Sequence, residues 1–259
     1  MHKKQSRIIT DNTSLYTDYQ NLKAGDVFVG SVRLRPGEEY VLLDLAERGV
    51  QIIPPALAQM ASRSKTFQVR LFHPHMVPHT LAIYTRHDLL GAVTLYQKKS
   101  IQQVVTKHDR RNAGLGIHLW SSAEEVYTQA SFGVIPFPFV LQPFQADCRD
   151  IRVVLLGDYM EAYWRYNPFN FRNNLHHGGK SSPCDLSAEQ LMLCSQVMRR
   201  GLFPYAHIDI MVTADNSYLA EINLHGGLKG ARIRRDDYRT KIEAIHESWL
   251  KKMGQEKQR

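Results

Sequence analysis

The sequence predicts an α+β protein with a small N-terminal βαβ lobe. Strands and helices alternate over the first half of the chain, and β-hairpins dominate beyond Pro138. A length of 259 residues, 43% of them hydrophobic, leaves room for one large domain or two modest ones with ordinary cores. Only 22% of the residues are charged, which excludes wholesale disorder.

The N-terminal lobe is predicted at residues 21–61. A strand at 27–32, a helix at 38–48 and a strand at 50–53 form the βαβ unit, and Gly49 follows the helix where a terminating glycine is favoured. The polar residues that precede this lobe lack periodicity. We therefore expect residues 1–20 to form a flexible arm.

A smaller α+β unit is predicted next, at residues 62–137. Its expected helices span 55–72, 87–97 and 122–130, and its expected strands span 78–84, 101–107 and 117–120. The glycine-containing segment 112–116 has the composition of a turn between the last two of these strands.

A larger unit is predicted at residues 138–259. Its expected strands span 139–142, 151–156, 159–165, 208–212 and 218–222. A helix beginning at Ser187 has a capping pattern, and a second helix is expected at 236–252.

Charge and hydropathy narrow the range of partners. Lys and Arg total 33 against 25 Asp and Glu, a net charge of +8 that favours nucleotides, polyphosphates, nucleic acid or an acidic membrane surface. No aromatic-interleaved RNA motif or basic recognition helix accompanies this charge, so we do not expect nucleic-acid binding. No membrane span or secretory apolar core is visible, which predicts a cytoplasmic protein, and three cysteines are too few for a disulfide framework.

A predicted hairpin near the C-terminus brings oxygen-bearing side chains together. Its turn has the sequence Ala-Asp-Asn-Ser, and a turn centred there places Asp209 opposite Glu221 and Met211 opposite Leu219, with Asn223 on the face of the acids. Opposed carboxylates repel unless something neutralises them. A divalent cation such as Mg²⁺ or Mn²⁺, held by Asp209, Glu221 and Asn223, would do so. The alternative is a solvent-facing edge hairpin.

Two further clusters are suited to anions. Lys107 precedes the small-residue loop 112–116, whose backbone N–H groups could approach phosphate oxygens. Arg152 lies in a predicted strand with an apolar pattern, where a guanidinium is unusual without an anion to bind. Arg172 and Asn174, shortly before a Gly-Gly pair, would suit a carboxylate, a phosphate or an acyl phosphate. The alternatives are an ordinary turn and a surface loop with Arg–Asp pairs.

Taken in chain order, these motifs resemble the ATP-grasp ligases, specifically the RimK-type glutamate ligase branch. The resemblance covers about residues 62–235. It rests on Lys65, on Lys107 with its glycine loop, on Asp150-Ile-Arg152, on Phe171-Arg-Asn-Asn174 with Gly178-Gly179, on His207-Ile-Asp209 and on Glu221-Ile-Asn223.

The resemblance implies the ATP-grasp fold, in which two α+β subdomains clamp a nucleotide. The implied ATP contacts are Lys65, Lys107, Asn112, Gly114, Gly116, Gln142, Phe144 and Asp147. Asp209, Glu221 and Asn223 would hold one or two Mg²⁺ ions that bridge the phosphates.

The resemblance also implies an activity. Similar enzymes phosphorylate a substrate carboxylate, and an amine then displaces the phosphate to form an amide or peptide bond. Arg152, Arg172 and Asn174 would be the catalytic residues that neutralise the developing charge. The acceptor would be an amino acid, a peptide or a carrier protein, and a homo-oligomer is an open alternative.

Several positions depart from the family pattern. Gln142-Pro143 stands where relatives usually carry an acidic residue after the glutamine, residues 224–227 lack the usual proline or serine, and the N-terminal lobe is short. Two rival functions therefore stay open: an ATP-grasp protein that binds nucleotide with kinase-like or no ligase activity, and a basic nucleic-acid-binding protein. His176 and His177 could contact substrate or form a surface pair.

Overall fold

The computed structural model describes residues 6–111, 116–169, 171, 175 and 178–256 of the chain. In this part of the chain the backbone forms three sheets, of three, four and five strands. None of the helices that the structure describes is long and apolar enough to cross a membrane.

The first sheet belongs to the N-terminal lobe. Its elements are β1 (Ile8–Ile9), α1 (Asn12–Thr17), β2 (Val27–Val29), α2 (Tyr40–Glu47) and β3 (Gln51–Ile53). The strands are parallel in the order β1-β2-β3, so the predicted βαβ unit of β2, α2 and β3 is present.

The prediction of a flexible arm at residues 1–20 is wrong for the residues from 6 onward. Ile8 pairs with Val27 at the edge of the sheet, and Leu15 in α1 is fully buried. The Arg7 guanidinium donates to the carboxylate of buried Asp26 at 2.9 Å. A two-residue strand and a six-residue helix are too short to show periodicity, so the sequence pattern missed them.

The four-stranded sheet follows. Its elements are β4 (Leu81–Ile83), α5 (Arg86–Lys98), β5 (Val104–His108), β6 (Ile117–Trp120), α6 (Ala123–Ser131) and β7 (Phe139–Pro143). The strands are antiparallel in the order β4-β7-β5-β6, with α5 and α6 contributing to one shared core. The predicted unit boundary at residue 138 is therefore wrong, because β7 pairs with β4 and β5 rather than with the strands that follow it.

The five-stranded sheet is antiparallel, in the order β10-β9-β8-β11-β12. Its elements are β8 (Arg149–Leu156), β9 (Tyr159–Tyr166), β10 (Lys180–Pro183), α7 (Ala188–Gly201), β11 (Tyr205–Val212), β12 (Ser217–Asn223) and α8 (Arg235–Glu256). The predicted cap at Ser187 is present as a reciprocal capping box with Gln190.

One long helix was expected at 55–72, but the structure has two, α3 (Ala56–Arg63) and α4 (Lys65–Phe72). Ser64 adopts an extended conformation between them, and its hydroxyl accepts from the Phe67 N–H at 3.1 Å. The chain therefore starts a new, capped helix at Lys65.

The C-terminal hairpin of β11 and β12 combines a confirmed pairing with a wrong one. Asp209 lies opposite Glu221 as predicted. Met211 pairs with Tyr218 rather than Leu219, because the register shifts just beyond Asp209 and leaves Ala220 as an extra residue on β12. The acids lie on the Asn223 side of this bulge, so their pairing is preserved.

Candidate functional site

A single row of cross-strand neighbours crosses the five-stranded sheet. Glu221 on β12 lies opposite Asp209 on β11, Asp209 lies opposite Arg152 on β8, and Arg152 lies opposite Tyr163 on β9. Directly opposed residues of a sheet project to the same face. All four side chains therefore line one face, which forms the floor of a cleft.

Asp209 is the centre of a buried ion-pair network. Its carboxylate accepts from Arg152 Nε at 2.7 Å and Arg152 Nη2 at 2.8 Å, and its Oδ2 also lies 2.9 Å from Arg165 Nη2. Burial by itself would raise the pKa of Asp209, but the two guanidiniums outweigh it and hold this pKa well below its usual range.

The network extends to a second acid. Arg165 also donates to Asp150, and these two residues are cross-strand neighbours on β9 and β8. Burial raises the pKa of Asp150, and Arg165 offsets only part of that effect. Burial lowers the pKa of Arg165, but its two carboxylate partners outweigh this and raise it. On the floor of the cleft, the negative charges of Asp150 and Asp209 are therefore balanced by the positive charges of Arg152 and Arg165.

The two predicted lysines approach the floor from other elements. Lys65 Nζ donates to Glu221 Oε1 at 2.9 Å and to the Arg111 carbonyl at 2.8 Å. Lys107, from β5 of the four-stranded sheet, lines the same cleft. Burial lowers the pKa of Lys107, while the nearby Glu221 carboxylate raises it in part.

Asp109 fixes the position of Lys65. Its Oδ1 accepts from the N–H of Thr66, in the first turn of α4, at 3.0 Å and from the hydroxyl of Ser64, the N-cap of that helix, at 3.0 Å. Because Asp109 follows β5 directly, this contact ties the start of α4 to the strand that carries Lys107. The two lysines are therefore held by one connected unit.

The side chains of Gln68 in α4 and Ser62 in α3 join these helices to the edge strand β12. The Gln68 amide donates to the Ile222 carbonyl at 2.8 Å and accepts from the Ile222 N–H at 3.1 Å. The Ser62 hydroxyl accepts from the Leu224 N–H at 2.9 Å. These bonds satisfy backbone groups of an edge strand that would otherwise be unpaired, and they place Lys65 beside Glu221.

The cleft has a volume of about 570 Å³ and is strongly cationic. Its lining includes the cations Arg63, Lys65, Lys107, Arg111, Arg149, Arg152, Arg165 and Lys229, against the acids Asp150, Asp209 and Glu221. The lining comes from both larger sheets, from α3 and α4 and from the loop after β12. Such a concave, positively charged site suits a polyanionic ligand.

Two of the residues predicted to contact the nucleotide lie in the cleft. Gln142 and Phe144 line the cleft. The Phe144 N–H already donates to the Gln103 carbonyl at 2.9 Å, and the Phe144 ring packs edge-on against Phe171. Asp147 is exposed and is not among the residues that line the cleft, so a nucleotide contact there stays a prediction.

Gly116 lies where an added side chain would clash with its neighbours. A Cβ at this position would lie 2.7 Å from the Arg111 Cβ and 2.8 Å from the His108 Cβ, and the Gly116 carbonyl accepts from the His108 N–H. The remaining predicted residues Asn112, Gly114, Arg172, Asn174, His176 and His177 lie outside the described residues.

The proposed Mg²⁺ ligands Asp209, Glu221 and Asn223 share the cleft, but they are not equally available. Both oxygens of Asp209 accept from guanidinium groups, and Glu221 has one oxygen paired with Lys65. Across the described part of the chain, no group of three or more His, Cys, Asp and Glu residues is placed to hold a metal. Arg152 and Arg165 pair with Asp209, and Lys65 pairs with Glu221. Of the three predicted ligands, Glu221 Oε2 and the Asn223 amide oxygen remain as hard oxygen donors of the chemical type that Mg²⁺ accepts.

Four residues of the site escaped the sequence-based prediction of site residues. Arg165 carried a visible signal, a guanidinium in an apolar strand, whereas Asp109 and Gln68 carried none because their partners lie far away in sequence. Tyr163 has the pattern of an ordinary core aromatic. The alternation of strand residues is the one signal that could have placed it beside Arg152.

Comparison with known proteins agrees with this fold. A family model for the RimK-like ATP-grasp domain matches residues 63–245, and the chain belongs to this family. The resemblance seen in the sequence and the expected ATP-grasp fold are thereby confirmed.

Three similar proteins illustrate the relationship. A probable alpha-L-glutamate ligase of Aeromonas salmonicida (strain A449) is 25% identical over 184 residues, which cover 68% of this chain and 60% of that relative. The D-cycloserine synthetase DcsG superposes with a TM-score of 0.59 at 14% identity, covering 86% of this chain and 83% of that one. A Chryseobacterium gregarium RiPP-associated ATP-grasp ligase, in complex with ADP and a leader and core peptide, superposes with a TM-score of 0.57 at 15% identity. The superposition covers 83% of this chain and 67% of that one. The chain spans about 60% of the length of the curated relative.

Proposed function

We propose that this chain is an ATP- and Mg²⁺-dependent ligase that joins a carboxylate to an amine through an acyl-phosphate intermediate. The observation that carries this proposal is the meeting of Lys65, Lys107 and Glu221 in one cationic cleft. These residues come from α4, β5 and β12, and hydrogen bonds through Asp109 and Gln68 hold the three elements together. A triphosphate with its metal is a ligand that needs both the positive lining and the acid.

The proposed chemistry is the two-step reaction that the family resemblance implies. A substrate carboxylate attacks the terminal phosphorus of ATP, the bond to the bridging oxygen breaks, and ADP leaves. The amine then attacks the acyl carbon, expels inorganic phosphate and loses a proton as the amide forms. Lys65 and Lys107 bind the phosphates, and Arg152 with Arg165 stabilises the negative charge on the transferring group and on the tetrahedral carbon.

Glu221 and Asn223 would hold the Mg²⁺ ion, which when bound screens the charge of the phosphate oxygens. Asp209 could join them only if Arg152 and Arg165 moved their donors elsewhere, for example to the phosphates. Arg172 and Asn174 stay in the proposal as catalytic residues implied by the family.

The acceptor is proposed to be an amino acid, a peptide or a carrier protein. The relatives support this range, because one is named as a probable glutamate ligase and another is in complex with a leader and core peptide. The engagement of both Asp209 oxygens favours one alternative, an ATP-grasp protein that binds nucleotide without ligation.

Thermal unfolding with ATP, in the presence and absence of MgCl₂, tests the nucleotide site. At a hundred times its dissociation constant, ATP with Mg²⁺ should raise the melting temperature of the wild type by about 5–10 °C. Glu221→Ala should remove most of this shift. The matched control Glu247→Ala deletes an exposed carboxylate on α8 and should keep it. Equal shifts in all three proteins, or a full shift without Mg²⁺, would count against the proposal.

Release of ADP tests the ligase activity itself. The wild type is incubated with Mg–ATP and pools of amino acids and dipeptides, and the pools are then divided until single substrates remain. We expect ADP release that requires both a carboxylate and an amine. Nucleotide binding without any substrate-dependent release would instead support the non-ligating alternative.

A further inference from the structure

The hydroxyl of Tyr163 stands out among the buried tyrosines. The side chain is 2% exposed, yet its hydroxyl has no hydrogen-bond partner among the residues that the structure describes. Tyr96 and Tyr205 are buried to a similar degree, but the first donates to the His79 carbonyl at 2.7 Å and the second lies 3.1 Å from His246 Nε2. Burying a hydroxyl without a partner is unfavourable, so an exception calls for a physical reason.

The position of Tyr163 supplies that reason. Its side chain lines the cleft directly beside Arg152. Burial raises the pKa of its hydroxyl, and the positive charges of Arg152 and Arg165 lower it in part. The hydroxyl therefore lies in the field of two arginines whose charge is already matched by Asp209 and Asp150. A hydroxyl that has no acceptor in the protein can donate to an anionic oxygen of a ligand, and hydrogen bonds to ionised acceptors are the stronger ones.

The order of the row distinguishes the two ends of the cleft. Glu221, with its Lys65 partner, lies at one end, and Tyr163 lies three strands away. At the usual spacing of neighbouring strands this separation is about 14 Å. The lysine end suits the phosphates of a nucleotide, and Arg152 lies between that end and Tyr163.

We propose that the Tyr163 hydroxyl is a substrate-binding group that donates a hydrogen bond to an oxygen of the carboxylate substrate. This inference rests on the proposed ligase function and deepens it, because it assigns the Tyr163 end of the cleft to the carboxylate and the Lys65 end to the nucleotide. The same donor would follow that oxygen as the carboxylate becomes an acyl phosphate.

The first experiment measures the free protein. Tyr163→Phe removes only the oxygen, so it should melt at or above the temperature of the wild type. Tyr205→Phe is the matched control. It removes a hydroxyl that has a partner and should melt lower. Comparable losses in both variants would show that the Tyr163 hydroxyl is already satisfied, which would overturn the proposal.

The second experiment measures ligands separately. Binding of Mg–AMPPNP and then of pooled amino acids and dipeptides is followed by thermal shift, and ADP release gives the KM for each substrate. Loss of one hydrogen bond to a charged group should weaken carboxylate binding in Tyr163→Phe by about 10- to 100-fold. The KM for ATP should stay within about twofold. An unchanged carboxylate KM, or a change confined to the nucleotide, would overturn the proposal.

The two hypotheses fail in different ways. A wild type that binds no carboxylate probe in the presence of Mg–AMPPNP and releases no ADP from Mg–ATP with any of them would overturn the ligase function and this assignment together. A wild type that releases ADP normally, with Tyr163→Phe indistinguishable from it, would overturn the Tyr163 assignment alone.

Discussion

The two faces of strands β8 and β11 solve the problem of burial in opposite ways. Ile151 and Val153 on β8, with Ile208 and Ile210 on β11, turn to one face and are completely buried in an apolar core. The residues between them turn to the cleft and are charged. The core face is stabilised by the apolar area it removes from water, which does not depend on any single partner. The cleft face is stabilised only while each charge keeps its counterpart.

This difference shows how a β-sheet can carry a reactive site without losing its fold. Arg152 and Asp209 lie on the same strands as these apolar residues, but they interact through an ion pair, for which a ligand of the right charge would compete. The core face has no such freedom, because its contacts are set by shape. Substitutions on the two faces should therefore change the free energy of unfolding by different amounts, and these changes should depend differently on pH.

The largest effect is expected for Asp209→Ala. The substitution leaves the Arg152 and Arg165 guanidiniums buried without their shared carboxylate. Removing one partner from a buried ion pair typically costs about 3–5 kcal/mol. Urea unfolding of the ligand-free protein should show a loss of stability of this size.

Two control substitutions test whether the loss of stability comes from the charges on the cleft face. Asp158→Ala removes an acid that is 96% exposed and lies 3.6 Å from Lys241, so the cost should be below about 1 kcal/mol. Ile208→Val trims one methylene from the core face of the same strand and should cost about 0.5–1.5 kcal/mol. If Asp209→Ala costs no more than Asp158→Ala, the buried network does not exist as described.

A smaller loss of stability is expected when the pH is lowered and His207 becomes protonated. Burial, followed by the positive charge of Arg152, lowers the pKa of His207 to about 3, and the groups that face it also include Asp209, Arg165, His225 and Tyr238. The folded protein thus favours neutral His207. This stabilisation is complete above the unfolded pKa of about 6.5 and is lost as the pH falls towards 3.

Between pH 7 and pH 5 this one histidine should cost the wild type about 2 kcal/mol of unfolding free energy. His207→Asn should lose that part of the pH dependence, whereas Ile208→Val on the core face should keep it. Urea midpoints at the two pH values measure the difference. Parallel pH profiles for His207→Asn and the wild type would contradict the assignment.

Local signals in the sequence explain most of what could be predicted. The turn residues around Asp215 fix the hairpin, and its centre places Asp209 opposite Glu221. Strand alternation then predicts which residues share the cleft face. The bulge at Ala220 could not be predicted, since an extra residue in one strand leaves no mark on composition or periodicity.

The features that could not be predicted depend on contacts between residues that lie far apart in the sequence. Lys65 and Glu221 are separated by 156 residues, and their meeting depends on Gln68 and on the capping role of Asp109. The same reason explains why β7 could not be assigned to its sheet, because pairing with β4 and β5 is a choice among strands and not a property of one. A single sequence specifies the types of elements better than their partners.

The proposed function requires that the cationic cleft binds a magnesium nucleotide through the lysines that face Glu221. Calorimetric titration of Mg–AMPPNP into the wild type, Lys107→Met and Lys98→Met tests it most directly, because Lys98 is an exposed lysine at the end of α5. We predict saturable binding to the wild type and to Lys98→Met, and binding to Lys107→Met that is weaker by about tenfold or more, as expected for the loss of one charged hydrogen bond. Equal affinity in all three proteins, or no binding to the wild type, would contradict the claim.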